Sequence, residues 1–342
     1  MGRLSGRRIV VAGAGAVGSV LALRLRGEGA EVLLADPAPL GANASGVAAG
    51  MLAPAFEAAL DPVSAGYFEL FTAARDLWPA LAERLGEPLD RSGALWVGDA
   101  ASNAAALAAL QALGAKAEAL AAPAGAVFTL EDWTLEPRPM LAALRRAFTQ
   151  EGGDVRAAGV SAWAVGTANF SDGSSSRADA LVLASGLAPE GFADPPPELA
   201  ALQPIKGQIV SFNASLPRGP VVRGEGIYVV PRAGGAIAGA TMEAGLRDTA
   251  VDPSAVERLS AASARLCPAL ESAPATGAAG VRASTPDGLP LVGPSHTPGV
   301  WIAMGARRNG WLLAPLIAEV IADQLAGGDG GRWAGLMRSG RF

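Results

Sequence analysis

The sequence predicts an α/β protein of two domains, with one domain assembled from separate stretches of chain and a β-rich domain threaded between them. Three observations carry this. A strand, a glycine-punctuated turn, a helix and a second strand ending in an acid occupy residues 7–36. Nucleotide-domain character of the same kind returns around 150–200 and again in the last section, from about 299. Between those returns lie alternating strands at 205–212, 226–232 and 236–242. At 342 residues the chain is long for one small core, which makes two domains the natural expectation.

The first unit is the most informative. "RRIVVAGAG" (7–15) reads as a short buried strand running into a glycine turn, and "AVGSVLALRLRGEG" has helical periodicity ended by Gly27 and Gly29. "AEVLLAD" (30–36) is the next strand, with Asp36 at its tip. Gly13, Gly15 and Gly18 fall at the spacing a dinucleotide needs. The first makes the turn, the second lets the backbone approach a pyrophosphate, and the third allows close helix–strand packing. The helix N-terminus faces the phosphates and the acid takes ribose hydroxyls. This Rossmann-like pattern does not separate FAD from NAD.

"GANASGVAAGMLAPAF" (41–56) is rich in small residues and has two readings, a flexible surface loop or a segment whose amides approach a ligand. From about 60 to 150 the chain is mostly Ala- and Leu-rich helix, with a strand-like piece at 93–98 and a helix over 137–153. A hairpin and a buried strand ending at Gly186 fill 159–186, and "DPPPEL" (194–199) is a local connector. An apolar strand at 299–305 precedes a final helix at 310–325, whose stripe is Leu312, Leu313, Leu316, Ile317, Val320 and Ile321. Pro315 is expected to bend that helix.

Composition narrows the chemistry. Half the residues are hydrophobic, 17% are charged and the net charge is −5, so nucleic acid is not an expected partner. Of 27 basic residues only Lys116 and Lys206 are lysines; this imbalance looks like codon bias, so position rather than residue type must give an arginine its meaning. Cys267 is the only cysteine and His296 the only histidine. That excludes an internal disulfide, a thiolate cluster and a multi-histidine metal site, and leaves little scope for a nucleophile triad. His296, in the turn "GPSHTPG", reads as a solvated loop residue. The N-terminal arginines and apolar run resemble a signal peptide, but the glycine fingerprint explains the run. No other stretch reaches membrane-spanning length without charge, so a cytoplasmic location is expected.

"GVRASTPDGLPLVGP" (280–294) holds one cation, Arg282, and one anion, Asp287, in an apolar, turn-rich setting. A buried unpaired charge is costly, and from the residues alone a structural pair with Asp287 is the favoured reading. Along the whole chain, however, "GAGAVG", "AAGMLAP", "LVLASG", "IKGQIV", "YVVPR", "GATM", "GVRASTPDGLPLVG" and "RNGWLLAP" follow one another in order. In this succession the chain resembles the FAD-dependent D-amino acid oxidase superfamily, and within it the glycine oxidases of the thiamine pathway.

The resemblance implies an FAD domain of the D-amino acid oxidase type formed by residues 1–60, 137–204 and 276–342. An antiparallel-sheet substrate domain would be formed by 61–136 and 205–275. It implies that Arg282 binds the substrate carboxylate, assisted by Tyr228, with the main chain of Arg308 facing the amine and Met242 lining the pocket. Guanidinium offers a planar fork that matches a carboxylate, and a buried tyrosine hydroxyl needs a partner. Ordinary strand packing is the other reading of Met242.

For the cofactor, the implied contacts are Gly13, Ala14, Gly15, Ala16, Val17, Gly18, Asp36, Ser45, Ala49, Gly50, Met51 and Val160. Further along the chain they are Ala184, Ser185, Gly186, Gly305, Arg307, Asn309, Gly310, Trp311 and Leu312. The implied reaction moves hydride from Cα of a neutral amine to flavin N5, without an enzymic base. The imine then hydrolyses to an oxo acid and ammonia, and oxygen becomes hydrogen peroxide. Amides around Asn309–Leu312 would stabilise negative charge on the flavin.

Relatives often carry a histidine before "RNG", where this chain has Ala306 followed by an additional Arg307. Cys267 lies well upstream of the position at which sarcosine oxidases attach their flavin, about Gly280 here, so noncovalent FAD is expected. Oligomeric state stays open, a homo-oligomer included. The leading expectation is an oxidase of glycine or a small amine, feeding thiazole synthesis. Its rivals are a dehydrogenase passing electrons to a quinone or carrier, an NAD-dependent dehydrogenase and a non-catalytic flavoprotein.

Overall fold

A computed structural model describes residues 2–121, 125–189, 191–214 and 216–342. Two sheets organise them. The first has six strands in the order Leu291–Pro294, Val300–Met304, Ala180–Leu183, Arg8–Ala12, Glu31–Ala35, Asp154–Arg156. All pairs are parallel except the outermost one, Leu291–Pro294 with Val300–Met304. Central strands of such a sheet are covered on both faces and read as continuous apolar runs. "IVVA" and "ALVL" do so, and every one of their residues is buried.

Helix Ala16–Gly27 follows the first strand and packs against helix Gly310–Leu325, the last of the chain. The final helix continues through Pro315. Proline has no N–H to offer the carbonyl one turn back. That carbonyl, of Trp311, instead accepts from the indole Nε1 of buried Trp78 at 3.0 Å. The bond satisfies a buried polar group that the sequence alone leaves orphaned.

The second sheet has nine strands. Its path is Glu243–Ala244, Gln203–Asn213, Gly235–Gly239, Ile227–Arg232, Val221–Gly224, Ala94–Trp96, Val127–Thr129 and Ala117–Ala119. Ala275–Ser284 pairs antiparallel with Gln203–Asn213 along almost its whole length. On this pairing we would move the domain boundary expected at residue 276 to beyond Ser284. A three-stranded meander, Val160–Ala164, Thr167–Phe170 and Ser175–Arg177, replaces the simple hairpin expected before the buried strand. Helix Pro253–Leu266, for which the sequence analysis has no assignment, packs on the second sheet.

The segment 41–56 is not a solvated loop. It forms the short helix Ala44–Val47, the strand Met51–Leu52 and the start of helix Pro54–Leu60, and Ala49, Leu52, Ala53, Ala55 and Phe56 are buried. Helix Pro54–Leu60 has no cap of its own. Asp132, 1% exposed, reaches across to accept the amides of Ala55 at 2.8 Å and Phe56 at 3.3 Å.

Burial pushes the Asp132 carboxyl up to about 6, against the pull of Arg223 and the two amides. A carboxyl raised above its unfolded value contributes stability when protonated, and that contribution fades as pH rises through the folded value. The loss between pH 5 and pH 7 amounts to about 1 kcal/mol. Asn has no such titration. Chemical denaturation of wild type and Asp132→Asn at both pH values is therefore expected to show a gap that changes by about 1 kcal/mol, wild type losing more as pH rises. Parallel pH dependences would contradict a protonated Asp132.

Candidate active site between the two sheets

A cleft of about 380 Å3 runs past the carboxyl ends of the central parallel strands, where ligands of open α/β sheets bind. Of the residues expected to hold the cofactor, Gly13, Gly15, Ala16, Val17, Asp36, Ser45, Ala184, Ser185, Gly186, Gly305, Arg307, Gly310 and Trp311 line it. A Cβ on Gly13 would stand 2.6 Å from the carbonyl oxygen of Ala184, and φ there is +109°. A Cβ on Gly18 would stand 1.9 Å from the carbonyl oxygen of Gly13, so this glycine is required by packing. Ala14 donates its amide to Asp36 Oδ2 at 2.6 Å and Ala16 to Ser45 Oγ at 2.9 Å. Among the described residues, the amides of Gly15 and Val17 find no protein acceptor. At the other end, helix Gly310–Leu325 starts without a side-chain cap, and the amides of Gly310, Trp311 and Leu312 are equally free. Two uncapped helix starts facing one cleft suit an anionic dinucleotide. The residues present therefore fit FAD.

Ala14, Gly18, Val160 and Leu312 line neither this cleft nor the cavity beside it. Gly18 and Leu312 pack beneath it, and Val160 belongs to the core around the meander.

A second cavity, of about 440 Å3, adjoins the first and shares Ala44, Ala48, Arg282, Arg308 and Trp311 with it. Its floor is the antiparallel sheet, and Ala49, Gly50, Met51, Tyr228, Met242 and Asn309 also line it. Arg282 rises from the strand Ala275–Ser284 and lies over Gly207 of the neighbouring strand. A Cβ on Gly207 would come within 2.3–2.4 Å of the guanidinium. Gly239 makes room for Tyr228 in the same way: its Cβ would stand 3.0 Å from the phenol oxygen. Met242 is 44% exposed, beyond the end of its strand, with Sδ 3.4 Å from Arg282 Nη1, so it is not ordinary strand packing.

Asp287 is not the partner of Arg282. Arg341 holds it through a two-pronged pair, both contacts at 2.8 Å. Among the described residues, Arg282 has no carboxylate within salt-bridge distance; it meets only the sulfur of Met242 and, at 3.5 Å, the carbonyl of Thr241. Tyr228's hydroxyl has no hydrogen-bond partner there either, as the bonds formed by the described residues show. Burial draws the Arg282 guanidinium below its ordinary value, with Arg308 and Arg307 adding to the effect and Tyr228 opposing it. Burial also raises the Tyr228 phenol, partly offset by Arg282, so it stays a donor at neutral pH. Cys267 and the exposed His296, which pairs with Glu198 at 2.8 Å, line neither cavity.

Sequence reasoning missed the carboxylates that hold the other arginines. Glu57, 4% exposed, accepts from Arg223 Nη1 at 3.3 Å and from Arg308 Nε. Asp61 pairs with Arg307, lies 3.4 Å from Arg308 Nη2 and accepts from Ser64 at 2.9 Å. Burial pushes Asp61 up, but Arg308, Ser64 and Arg307 outweigh it and hold the carboxyl low. Arg307 itself sits at φ +51°, its amide bonded to the carbonyl of Ala283 at 2.8 Å. The available signal was two acids in the otherwise apolar "MLAPAFEAALDP".

Gly207→Ala tests how this geometry holds Arg282. The three atoms nearest the added methyl all belong to the Arg282 guanidinium, so the chain is expected to fold and to displace that side chain. Affinity for small carboxylates, read from perturbation of the flavin spectrum, should fall about tenfold or more, roughly 1.4 kcal/mol. Unchanged affinity would mean that the seat over Gly207 does not matter.

Comparison with known proteins agrees with this geometry. The family model described as FAD dependent oxidoreductase matches residues 8–324. The chain is 36% identical to a glycine oxidase of Pseudomonas putida over 135 residues, 37% of this chain and 36% of that one. It is 31% identical over 93% of its length to the tRNA 5-methylaminomethyl-2-thiouridine biosynthesis bifunctional protein of a Caulobacter species, of which it covers 54%. Glycine oxidase of Geobacillus kaustophilus is 28% identical over 92% of each chain. The crystal structure of that organism's enzyme superposes with a TM-score of 0.87 over 98% of this chain and 99% of that one, at 25% identity. Two of these matches thus span only about a third to a half of the relative's own length. The protein belongs to the D-amino acid oxidase-type family of FAD-dependent oxidoreductases.

Proposed function

We propose that the protein oxidises the amine carbon of a small amino acid, glycine or an N-substituted glycine, to an imine, with oxygen reduced to hydrogen peroxide. One observation carries the reading: Arg282 is a half-buried guanidinium without a carboxylate among the described residues, next to a tyrosine hydroxyl also left without a partner. A substrate carboxylate supplies the missing charge and accepts from both groups. Held there, the small acid has little freedom left, and its amine falls beside the main chain of Arg308. The guanidinium of Arg308 is drawn aside by Glu57 and Asp61, which leaves that backbone to face the amine.

When bound, FAD supplies a two-electron acceptor that molecular oxygen can reoxidise. Gly13, Gly15, Ala16, Val17, Asp36 and Ser45 would hold its phosphates and ribose, and the free amides of Gly310 and Trp311 would face its ring system. With no histidine or cysteine lining the cavity, the reaction relies on orientation and on water-excluded charge rather than on an enzymic base. FAD as the dinucleotide removes the NAD-dependent alternative. A role in supplying the imine for thiazole assembly is the physiological setting we propose. Transfer of electrons to a carrier is the competing reading of the same site.

Arg282→Met is expected to lower kcat/KM for glycine by about a hundredfold or more, since removing a charged hydrogen-bonding partner costs roughly 3 kcal/mol. Arg282→Lys should recover part of that loss. Peroxide and glyoxylate should form in equal amounts in wild type. Glyoxylate formed only when an artificial electron acceptor is added would favour the carrier, and undiminished turnover in Arg282→Met would refute the anchor.

A further inference from the structure

Arg282 is not the only guanidinium facing the substrate cavity. Arg223, on the strand Val221–Gly224, stands opposite Tyr228 in the antiparallel register and is 8% exposed. From the strand beneath Arg282, the sheet runs through those of Gly239, Tyr228 and Arg223 to that of Trp96. The cavity floor therefore extends well past Tyr228, and Leu60, Trp96 and Ile227 line it there. Even with the flavin edge occupying part of it, a cavity of about 440 Å3 holds far more than glycine.

Arg223 uses only one of its two edges. Nη1 donates to Glu57 at 3.3 Å. On the other edge Nε has no partner among the described residues, and Nη2 meets only the sulfur of Met51 at 3.4 Å. That Nε–Nη2 edge is the one with which this protein grips carboxylates elsewhere: Arg3 holds Glu28 at 3.0 Å through both atoms, and Arg341 holds Asp287 at 2.8 Å through both. A thioether is a weak acceptor on a flexible stem, readily displaced by an anion. Charge points the same way. Three arginines, Arg223, Arg282 and Arg308, line the cavity against two carboxylates, Glu57 and the exposed Glu225; Glu57 is shared by Arg223 and Arg308, and Asp61 also holds Arg308.

We propose that Arg223 is a second anion anchor, and that the preferred substrate is a glycine whose nitrogen carries an arm ending in a carboxylate. This rests on the reading of Arg282 and Arg308 above. With the glycine carboxylate on Arg282 and the amine at Arg308, the Glu57 junction of Arg308 and Arg223 lies on the nitrogen side, so an N-arm is directed to Arg223. The secondary amine R–NH–CH2–COO− loses two electrons and two protons to give R–N=CH–COO−, and oxygen takes them up as hydrogen peroxide. Water adds across the C=N bond, which breaks to release R–NH2 and glyoxylate.

Peroxide release by the FAD-loaded protein tests this with iminodiacetate, N-(2-carboxyethyl)glycine and N-(3-carboxypropyl)glycine against neutral N-ethyl- and N-propylglycine. The best acid-armed compound should exceed its neutral counterpart in kcat/KM by about tenfold or more, and the margin should shrink with added salt. In Arg223→Met the ratio should fall to about one, and Arg223→Lys should keep part of it. The wild-type ratio stands on its own if a variant fails to fold. Wild type that prefers the neutral compounds, or treats both alike, overturns the second anchor and leaves the function proposed above intact. If no carboxylated amine is oxidised, the reading of Arg282 fails, and this inference fails with it.

Discussion

The structure depends on one costly feature, a half-buried guanidinium, Arg282, that opens on both cavities without a carboxylate partner among the described residues. Drawing a charge partly out of water without a partner is unfavourable, so the fold must both hold Arg282 in place and keep other carboxylates from neutralising it. Both are visible. Gly207 provides the seat, because any larger residue would occupy the space of the guanidinium. Asp287, the nearest acid in sequence, is held by Arg341, and Glu57 and Asp61 are engaged by Arg223, Arg307 and Arg308. The stability lost at Arg282 becomes affinity for a carboxylate ligand, which is how binding sites commonly use unsatisfied charge.

This arrangement requires the interleaved chain. The long antiparallel pair of Gln203–Asn213 and Ala275–Ser284 carries the seat and the arginine, while the parallel sheet carries the dinucleotide cradle. Helix Pro54–Leu60 and the start of helix Gly310–Leu325 meet between them through the Glu57–Arg308 and Asp61–Arg307 pairs. Asp132 and Trp78 hold those two helices by satisfying backbone groups that sequence-local partners leave unmet. The site is therefore a junction of segments distant in sequence.

Much of this was legible in the residues. The glycine spacing at residues 13–18 with Asp36 fixed the dinucleotide unit because each glycine answers a local steric demand, and local demands are written locally. Arg282 was conspicuous as a cation in an apolar stretch, yet its neighbour Asp287 suggested the wrong partner: pairing is decided in space, and Arg341 lies 54 positions away. The acids that hold Arg307 and Arg308 lie about 250 residues upstream, and no periodicity links such positions. At Pro315 the local rule foretells a freed carbonyl but not its partner, Trp78, which lies 233 positions from Trp311. The strand Ala275–Ser284, rich in Ala and Gly, lacks the alternation that marks a strand, and only its pairing reveals it.

The account's central claim is that a small amino acid anchored on Arg282 delivers its electrons to a bound flavin. The visible spectrum of the purified protein, recorded before and after anaerobic addition of glycine, tests that most directly. A yellow protein that bleaches with glycine and regains its colour in air is the predicted result. A yellow protein that stays oxidised with glycine, sarcosine and small D-amino acids alike would contradict it.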